Sequence, residues 1–308
     1  MILSPAQYQL VSTFLAGTLS VMLASAVYFL VMRESVRAKQ RQAVLVAAMY
    51  TGIAAFHYTR ILSAWGSAFV LQSGKYVSTG ASVFNGYRYA DWLITVPLLV
   101  AQLVLVLALD SDLTKRLITR LGAAAALMVA LGYPGEVSDS KAIKMVFWLL
   151  GVAPFCYLIY VLYVGMSESL RRQPDSVVRT ISNARLLLVS SWMVYPVVYL
   201  LPIIGINNAG GTVIRQVGYS IADVIAKPLF ALFLLRVAQA KSADAEQIDV
   251  TVARAPSVPT APVAPRVPMP PRQVAAAAQA DVDAAMQAPT RPRVPMPPSM
   301  SSGHNNDI

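Results

Sequence analysis

Lys227 and Asp223 are the two residues of this chain whose chemistry is least expected in their surroundings. Both lie in the apolar segment GYSIADVIAKPLFALFLLRV, and their four-residue spacing places them on one face of a helix. A charged amine near the centre of a bilayer costs ~2.5–3.5 kcal/mol on insertion scales, so it needs a partner or a chemical purpose. A desolvated lysine is suited to form a Schiff base with a carbonyl compound. The alternative is a structural ion pair inside a transporter.

A second set of polar residues lies within the segment NGYRYADWLITVPLLVAQL. On a helix, Asp91, Thr95 and Gln102 fall within ~40° of one another, and Asp91 and Gln102 are ~16 Å apart along the axis. We therefore expect all three to face the interior of a helical bundle, with Arg88 one turn outward from Asp91. Asp91 and the carboxylate of the first pair can then surround the protonated amine, while Arg88 offsets the surplus negative charge.

The composition indicates a membrane protein. Hydrophobic residues make up 56% of the 308 residues and charged residues 13%, whereas soluble domains carry ~25% charged residues. The mean hydropathy is +0.56. The formal net charge of +10 lies mostly in short connections between apolar segments, which argues against a nucleic-acid partner. The single cysteine, Cys156, excludes a disulfide framework and a CxxC metal site, and we expect no bound metal.

Seven apolar stretches are each long enough to cross ~30 Å of hydrocarbon as a helix. The sequence therefore predicts an all-α fold, a bundle of seven transmembrane helices, with spans near 8–32, 42–66, 84–109, 113–134, 141–166, 177–203 and 212–238. Residues 67–83 are rich in Gly, Ser, Val and Tyr, which predicts a short hairpin between the second and third helices (the B–C hairpin, if the helices are lettered A to G).

The distribution of basic residues in the connections predicts the orientation. The connections after the first, third and fifth spans are rich in Lys and Arg, whereas the opposite connections contain few. By the positive-inside rule, we expect the N-terminus outside and the C-terminus in the cytoplasm.

The chain changes character near residue 242. From there to residue 308 it holds twelve of the twenty prolines, a poly-Ala patch, and the hexapeptide RVPMPP at 266–271 and again at 293–298. This composition predicts a membrane domain at 1–241 and a disordered, Pro/Ala-rich cytoplasmic tail at 242–308. The repeated hexapeptide is either a docking motif for a partner or part of a solvated tether.

Three segments carry a resemblance to the microbial (type 1) rhodopsins, the retinal-binding seven-helix proteins. RYADWLITVPLL resembles the family signature of the third helix, SWMVYPVVYLLP that of the sixth, and DVIAK that of the retinal-binding lysine. The resemblance covers about 8–240 and implies that Lys227 forms the Schiff base with all-trans retinal. It further implies that Asp91 is counterion and proton acceptor, Asp223 is the second counterion, and Arg88 is the extracellular gate.

The resemblance also implies a retinal pocket and a subgroup. The residues expected around retinal are Trp92, Leu99, Trp148, Trp192, Tyr195, Pro196 and Tyr199. The segment FHYTRI, like GYPGE at 132–136, is similar to the xanthorhodopsin-like and proteorhodopsin-like bacterial proton pumps. In those proteins a histidine of the second helix hydrogen-bonds the acceptor, so His57 is expected to pair with Asp91. Leu99 implies absorption of green rather than blue light.

Two positions depart from this subgroup. The proton pumps carry a carboxylate, the internal proton donor, where Gln102 stands, and glutamine has no proton to release at physiological pH. Asp91 and Thr95 nevertheless match the proton-pump pair and differ from the sodium and chloride pumps. Trp148 occupies the place where xanthorhodopsins have a small residue beside a carotenoid, so we expect no carotenoid antenna.

The sequence thus predicts a light-driven outward proton pump, not an enzyme, in a bacterial plasma (inner) membrane. Its expected partners are the lipid bilayer, protons and further copies of itself (trimer or pentamer). The alternative is a photosensory rhodopsin whose slow photocycle signals through a partner of the Pro-rich tail. Slow reprotonation would prolong a signalling state, but the tail contains no recognisable output domain.

Overall fold

The computed structural model describes residues 1–81 and 86–254. It confirms the all-α prediction of a seven-helix bundle. The first four helices are Pro5–Met32, Ala38–Ser67, Gly86–Leu107 and Ser111–Val137. The fifth comprises Lys141–Tyr160, a π-helical stretch Val161–Gly165 and Ser167–Arg171. The sixth comprises Asp175–Trp192 and Val194–Leu200, and the seventh Ala209–Val224, a π-helical stretch Ile225–Leu229 and Phe230–Arg254.

Five of these helical segments are long and apolar enough to cross a membrane by length and composition alone: Pro5–Ser35, Gly86–Leu107, Ser111–Val137, Lys141–Arg171 and Asp175–Leu200. The second and seventh helices do not meet this requirement of length and apolar composition. The second carries His57 and Arg60, and the seventh carries Asp223 and Lys227. In the seventh helix the two polar groups are buried in the interior of the bundle, whereas in the second helix His57 is partly buried and Arg60 is exposed.

The short hairpin between the second and third helices is present, as predicted. Strands β2 (Phe69–Gln72) and β3 (Lys75–Ser78) pair antiparallel. Ser73 and Gly74 form the turn with φ of 45° and 77°, as in a type I′ turn, whose twist matches that of the strands. A third strand, β1 (Ile2–Leu3), pairs with β3. It was not predicted, because two residues are too short to show a periodic pattern. Residues 82–85, where the predicted hairpin and third span meet, lie outside the described residues.

Prolines explain where the sixth and seventh helices are interrupted. Pro196 has no N–H to donate to the carbonyl of Trp192, and Pro228 has none to donate to the carbonyl of Val224. The sixth helix accordingly breaks at Met193, and the seventh widens to π-helical geometry around Lys227. Spacing alone predicted continuous helices at both places.

The seventh helix continues to Arg254, so it extends beyond residue 242, where we predict that the tail begins. Residues 242–254 contain no proline to end the helix. They are also tied to the connection after the first helix, since Arg37 Nη2 lies 2.7 Å from Asp249 Oδ2 and the backbone N–H of Arg37 donates to Ser242 Oγ at 3.0 Å. The RVPMPP repeats lie outside the described residues.

Candidate functional site

The structure brings Lys227 together with both predicted carboxylates in the interior of the bundle. Lys227 Nζ lies 2.5 Å from Asp223 Oδ1 and 3.0 Å from Asp91 Oδ2. The lysine and Asp91 are each 1% exposed, and Asp223 is 0% exposed. The π-helical stretch carries the lysine, the preceding turn of the same helix carries Asp223, and the third helix carries Asp91. One buried amine is therefore shared by two buried carboxylates.

Asp223 is held by donors from three further residues. Tyr58 Oη donates to Oδ2 at 2.8 Å, while Tyr195 Oη at 2.8 Å and Trp92 Nε1 at 3.2 Å donate to Oδ1. Hydrogen bonds of this kind favour the ionised form of a carboxyl group. Together with the lysine, these donors engage both oxygens of Asp223.

Asp91 has a different environment, because only one of its oxygens is engaged. Oδ2 faces the Lys227 amine, whereas Oδ1 is buried and forms no hydrogen bond within the described residues. The ring of His57, on the second helix, lies beside it with Nδ1 at 3.8 Å from Oδ1, but Nδ1 is closer to the carbonyl of Ile53, at 3.0 Å. The predicted pair is thus adjacent, without the predicted hydrogen bond.

Arg88 lies between this centre and the end of the bundle that carries the hairpin. Its Nη1 donates to Tyr58 Oη at 2.9 Å and its Nη2 to Gln216 Oε1 at 3.0 Å, and Nη1 is 3.7 Å from Asp223 Oδ2. Its guanidinium also lies over the rings of Tyr58 and Tyr219, at 5.2 and 5.4 Å from their centroids. The predicted offset of negative charge is therefore present, and Tyr58 joins the arginine to the carboxylate.

Gln102 lies on the other side of the lysine, and Tyr50 connects the two. The phenol Oη of Tyr50 donates to Gln102 Oε1 at 2.8 Å and lies 3.4 Å from the backbone carbonyl of Lys227. Thr95, between Asp91 and Gln102, is fully buried and donates its hydroxyl to the carbonyl of Asp91 at 2.9 Å. The three residues predicted to face inward from the third helix all do so.

An apolar, aromatic-walled cavity lies beside Lys227. Its lining includes all seven of the predicted pocket residues and adds several from the third, fourth, fifth and seventh helices, among them Tyr89, Met128, Phe147, Gly151, Phe155 and Tyr219. Trp148 is fixed there because its indole N–H donates to the carbonyl of Pro196 at 3.0 Å. Tyr199 directs its hydroxyl towards the carbonyls of Gly132 and Lys144, at 3.5 and 3.4 Å. The cavity is thus largely apolar, and the lysine that carries the shared amine is part of its wall.

Sequence reasoning missed the tyrosines that join these groups. Tyr50 and Tyr58 are both fully buried on one face of the second helix, eight residues apart. A search for charged residues at membrane depth passes over phenols, and a buried tyrosine is more often explained by packing. The signal that could have found them is their spacing: eight residues are close to two helical turns, on the face that also carries Thr51 and Ala54.

Comparison with known proteins places the chain among retinal proteins. The bacteriorhodopsin-like protein family matches residues 9–241. The green-light absorbing proteorhodopsin of Gamma-proteobacterium EBAC31A08 is 30% identical over 225 residues, covering 73% of this chain and 84% of that protein. The crystallographic structure of xanthorhodopsin, described as a light-driven ion pump with dual chromophore, superposes with a TM-score of 0.77 at 40% identity, covering 80% of this chain and 98% of that one. Thermophilic rhodopsin also gives a TM-score of 0.77, at 39% identity, over 79% of this chain and 98% of its own.

Proposed function

This chain belongs to the bacteriorhodopsin-like protein family, and on that premise we propose that it is a light-driven outward proton pump carrying retinal on Lys227. The family implies a retinal chromophore and a multi-pass membrane protein. Its relatives include the proteorhodopsin and the light-driven ion pump described above. Green absorption, as the name of that proteorhodopsin states, fits Leu99, which lines the cavity.

The residues present fit retinal. An apolar polyene needs an apolar cavity, and the cavity here is walled by aromatic rings and lined by the buried Lys227. Bound as an imine at Lys227 Nζ, retinal supplies the absorption of light and a change of shape on excitation. The protein supplies the charges around that nitrogen, which Asp91 and Asp223 stabilise in its positive form.

The unequal engagement of the two carboxylates is the observation that carries the proposal. Asp223 receives hydrogen bonds from Tyr58, Trp92 and Tyr195 in addition to Lys227, whereas Asp91 Oδ1 receives none within the described residues. A carboxylate with free lone pairs, 3.0 Å from the nitrogen, is the better proton acceptor. Asp91 therefore takes the proton, while Asp223 stays ionised as a fixed counterion.

The exit path follows from the position of Arg88. Once Asp91 is neutral, Asp223 is the carboxylate that remains charged beside Arg88, which also contacts the neutral oxygens of Tyr58 and Gln216. The proton then leaves past Arg88 towards the hairpin end. With the N-terminus outside a bacterial inner membrane, as the basic connections predict, this direction is outward.

Reprotonation occurs from the opposite side, where Gln102 cannot donate a proton. Gln102 accepts a hydrogen bond from Tyr50. It therefore helps to position the groups along the proton-uptake path but cannot supply the proton itself. We therefore expect a slow cycle at alkaline pH. The same feature supports the second candidate, a photosensor with a long-lived signalling state.

A carotenoid antenna is not part of the proposal. Trp148 lines the cavity and is held by its hydrogen bond to the carbonyl of Pro196. The bulky ring held in this position supports the expectation that no second pigment packs there. The dual chromophore of xanthorhodopsin is thus not expected here.

Illumination of cells that express the chain with added retinal tests the pump directly. We expect the medium to acidify in the light, and a protonophore to abolish the change. Lys227→Ala in the same cells is the matched control, because it removes the linkage and leaves the remaining membrane charges in place. A coloured protein that produces no acidification would refute the pump and favour the sensor.

A further inference from the structure

Lys241 is a titratable group near the C-terminal end of the described chain that the proposed mechanism does not yet use. It follows the last predicted span, and its side chain is half-buried. Its Nζ donates to the backbone carbonyl of Leu107 at 2.6 Å and to Gln173 Oε1 at 2.7 Å. One ammonium thus joins the seventh helix to the end of the third helix and to the connection between the fifth and sixth.

The end of the third helix explains why an amine is bound there. The last carbonyls of a helix lack partners within it, and they form the negative end of the helix dipole. Ala108, directly after the helix, has the left-handed φ of 52° with which many helices end. A lysine that reaches this carbonyl satisfies it, and the acceptor lies on the same helix as Gln102.

The electrostatic surroundings make this proton exchangeable. Both acceptors of the ammonium are neutral. The charged group that acts on it from a neighbouring helix is Lys39, at the start of the second helix. Burial and the repulsion from Lys39 together lower the pKa of Lys241 to about 8. An amine with this pKa can hold and release a proton near neutral pH, whereas an ordinary lysine, with a pKa of ~10.4, holds it firmly.

We propose that Lys241 is the proton-uptake group of this chain, standing in for the carboxylate that position 102 lacks. Leu107 is five residues beyond Gln102, or ~7.5 Å along the third helix. The N–H bond of the Lys241 ammonium breaks, its electron pair stays on the nitrogen, and the proton passes through water towards Gln102 and the Lys227 nitrogen. The resulting amine regains a proton from cytoplasmic water.

The stretch of the third helix between Gln102 and the carbonyl that binds Lys241 is apolar, since Leu103, Val104 and Val106 are fully buried there. The transfer therefore requires the helix ends to separate. Lys241 itself joins those ends, so the opening that admits water also exposes its ammonium. This inference rests on the proposed retinal cycle, but not on net transport.

A direct measurement of the Lys241 pKa requires no photocycle. The intact protein in lipid nanodiscs is acetylated briefly with acetic anhydride between pH 6 and 11, and labelling of the Lys241 peptide is quantified by mass spectrometry. An added unstructured lysine peptide, which titrates near ~10.4, is the internal reference. We expect half-maximal reactivity of Lys241 near pH 8. Co-titration with the reference peptide would overturn the proposal.

Two variants separate proton uptake from a purely structural tie. Lys241→Arg keeps the positive charge and the hydrogen-bond donors but does not release a proton. Lys241→Met removes the charge, the donors and the releasable proton. After a flash, we expect both variants to recover the dark absorption band at least tenfold more slowly than wild type, since a positioned acid is worth ~10²–10⁴-fold. The melting temperature of Lys241→Arg should stay near that of wild type.

The contrary outcomes are equally specific. Wild-type recovery in Lys241→Arg with slow recovery in Lys241→Met would mean that the residue only ties the helices together. Wild-type recovery in both would exclude any role in uptake. Failure of the pump is seen separately, as absence of acidification by wild-type cells, and would leave slow recovery in Lys241→Arg as support for uptake in a sensor.

Discussion

Replacing Gly135 by alanine should disturb the cavity wall more than any other glycine-to-alanine change in the fourth helix. A methyl group built there would overlap the hydroxyl of Tyr199 and lie 2.9 Å from Phe147 Cβ and 3.3 Å from Lys144 Cα. Two of these neighbours belong to the fifth helix and cannot rotate away. Such overpacking costs ~1–3 kcal/mol, against a gain of ~0.5–1 kcal/mol for alanine over glycine in a helix. We expect a net loss of ~1 kcal/mol, which is a change in the folding equilibrium of ~5-fold.

The assay is the thermal loss of the visible band, recorded together with its maximum. Because Tyr199 lines the cavity, Gly135→Ala should both lower the temperature of bleaching and shift the band. Gly122→Ala in the same helix is the matched control, since its methyl would meet only Pro97 Cβ, at 3.9 Å. It should bleach at the wild-type temperature or slightly above. If the two variants behave alike in both measurements, the placement of Tyr199 between the fourth and fifth helices is wrong.

Four further substitutions test the centre itself. Lys227→Ala should give a colourless protein with added retinal; the same visible band in this variant would refute the linkage. Asp91→Asn should shift the band to the red and abolish net proton transport, because the amide neither stabilises the positive nitrogen nor accepts its proton; transport at the wild-type rate would contradict the assignment. Gln102→Glu should speed recovery of the dark band, most of all at alkaline pH, because a positioned acid is worth ~10²–10⁴-fold; fast, pH-independent recovery in the wild type would argue against it. Tyr58→Phe should lower the melting temperature, since each lost hydrogen bond to a charged group costs ~1.5–3 kcal/mol; unchanged melting would show that the phenol is dispensable.

Helix faces could be predicted from the sequence because they depend only on the period of the helix. Asp91, Thr95 and Gln102 share one helix face whatever side chains surround them. Lys227 lies one helical turn from Asp223 for the same reason. The helix assignments, and the position of Asp223 beside Lys227 on one helix, follow from those periods. The motifs supplied the rest, since they indicated which helices meet.

Distances between helices could not be predicted in this way. His57 was expected to hydrogen-bond Asp91, yet the structure places His57 Nδ1 3.8 Å from Asp91 Oδ1 and closer to the backbone carbonyl of Ile53, at 3.0 Å. The links through Tyr50 and Tyr58 depend on how far the second helix stands from the third and seventh. Spacing along one helix contains no information about that separation.

The interruptions of the fifth, sixth and seventh helices distinguish them from the first four helices of the bundle. The first four helices are each one continuous α-helix in the described chain, although Pro97 lies within the third and Pro134 within the fourth. The fifth, sixth and seventh each contain a π-helical stretch or a break. At each of these points a side chain holds a backbone carbonyl: Arg185 that of Leu162, Trp148 that of Pro196, and Tyr50 that of Lys227. The last three helices therefore already depart from regular α-helical hydrogen bonding, and we expect a change of shape at Lys227 to bend these helices rather than the first four.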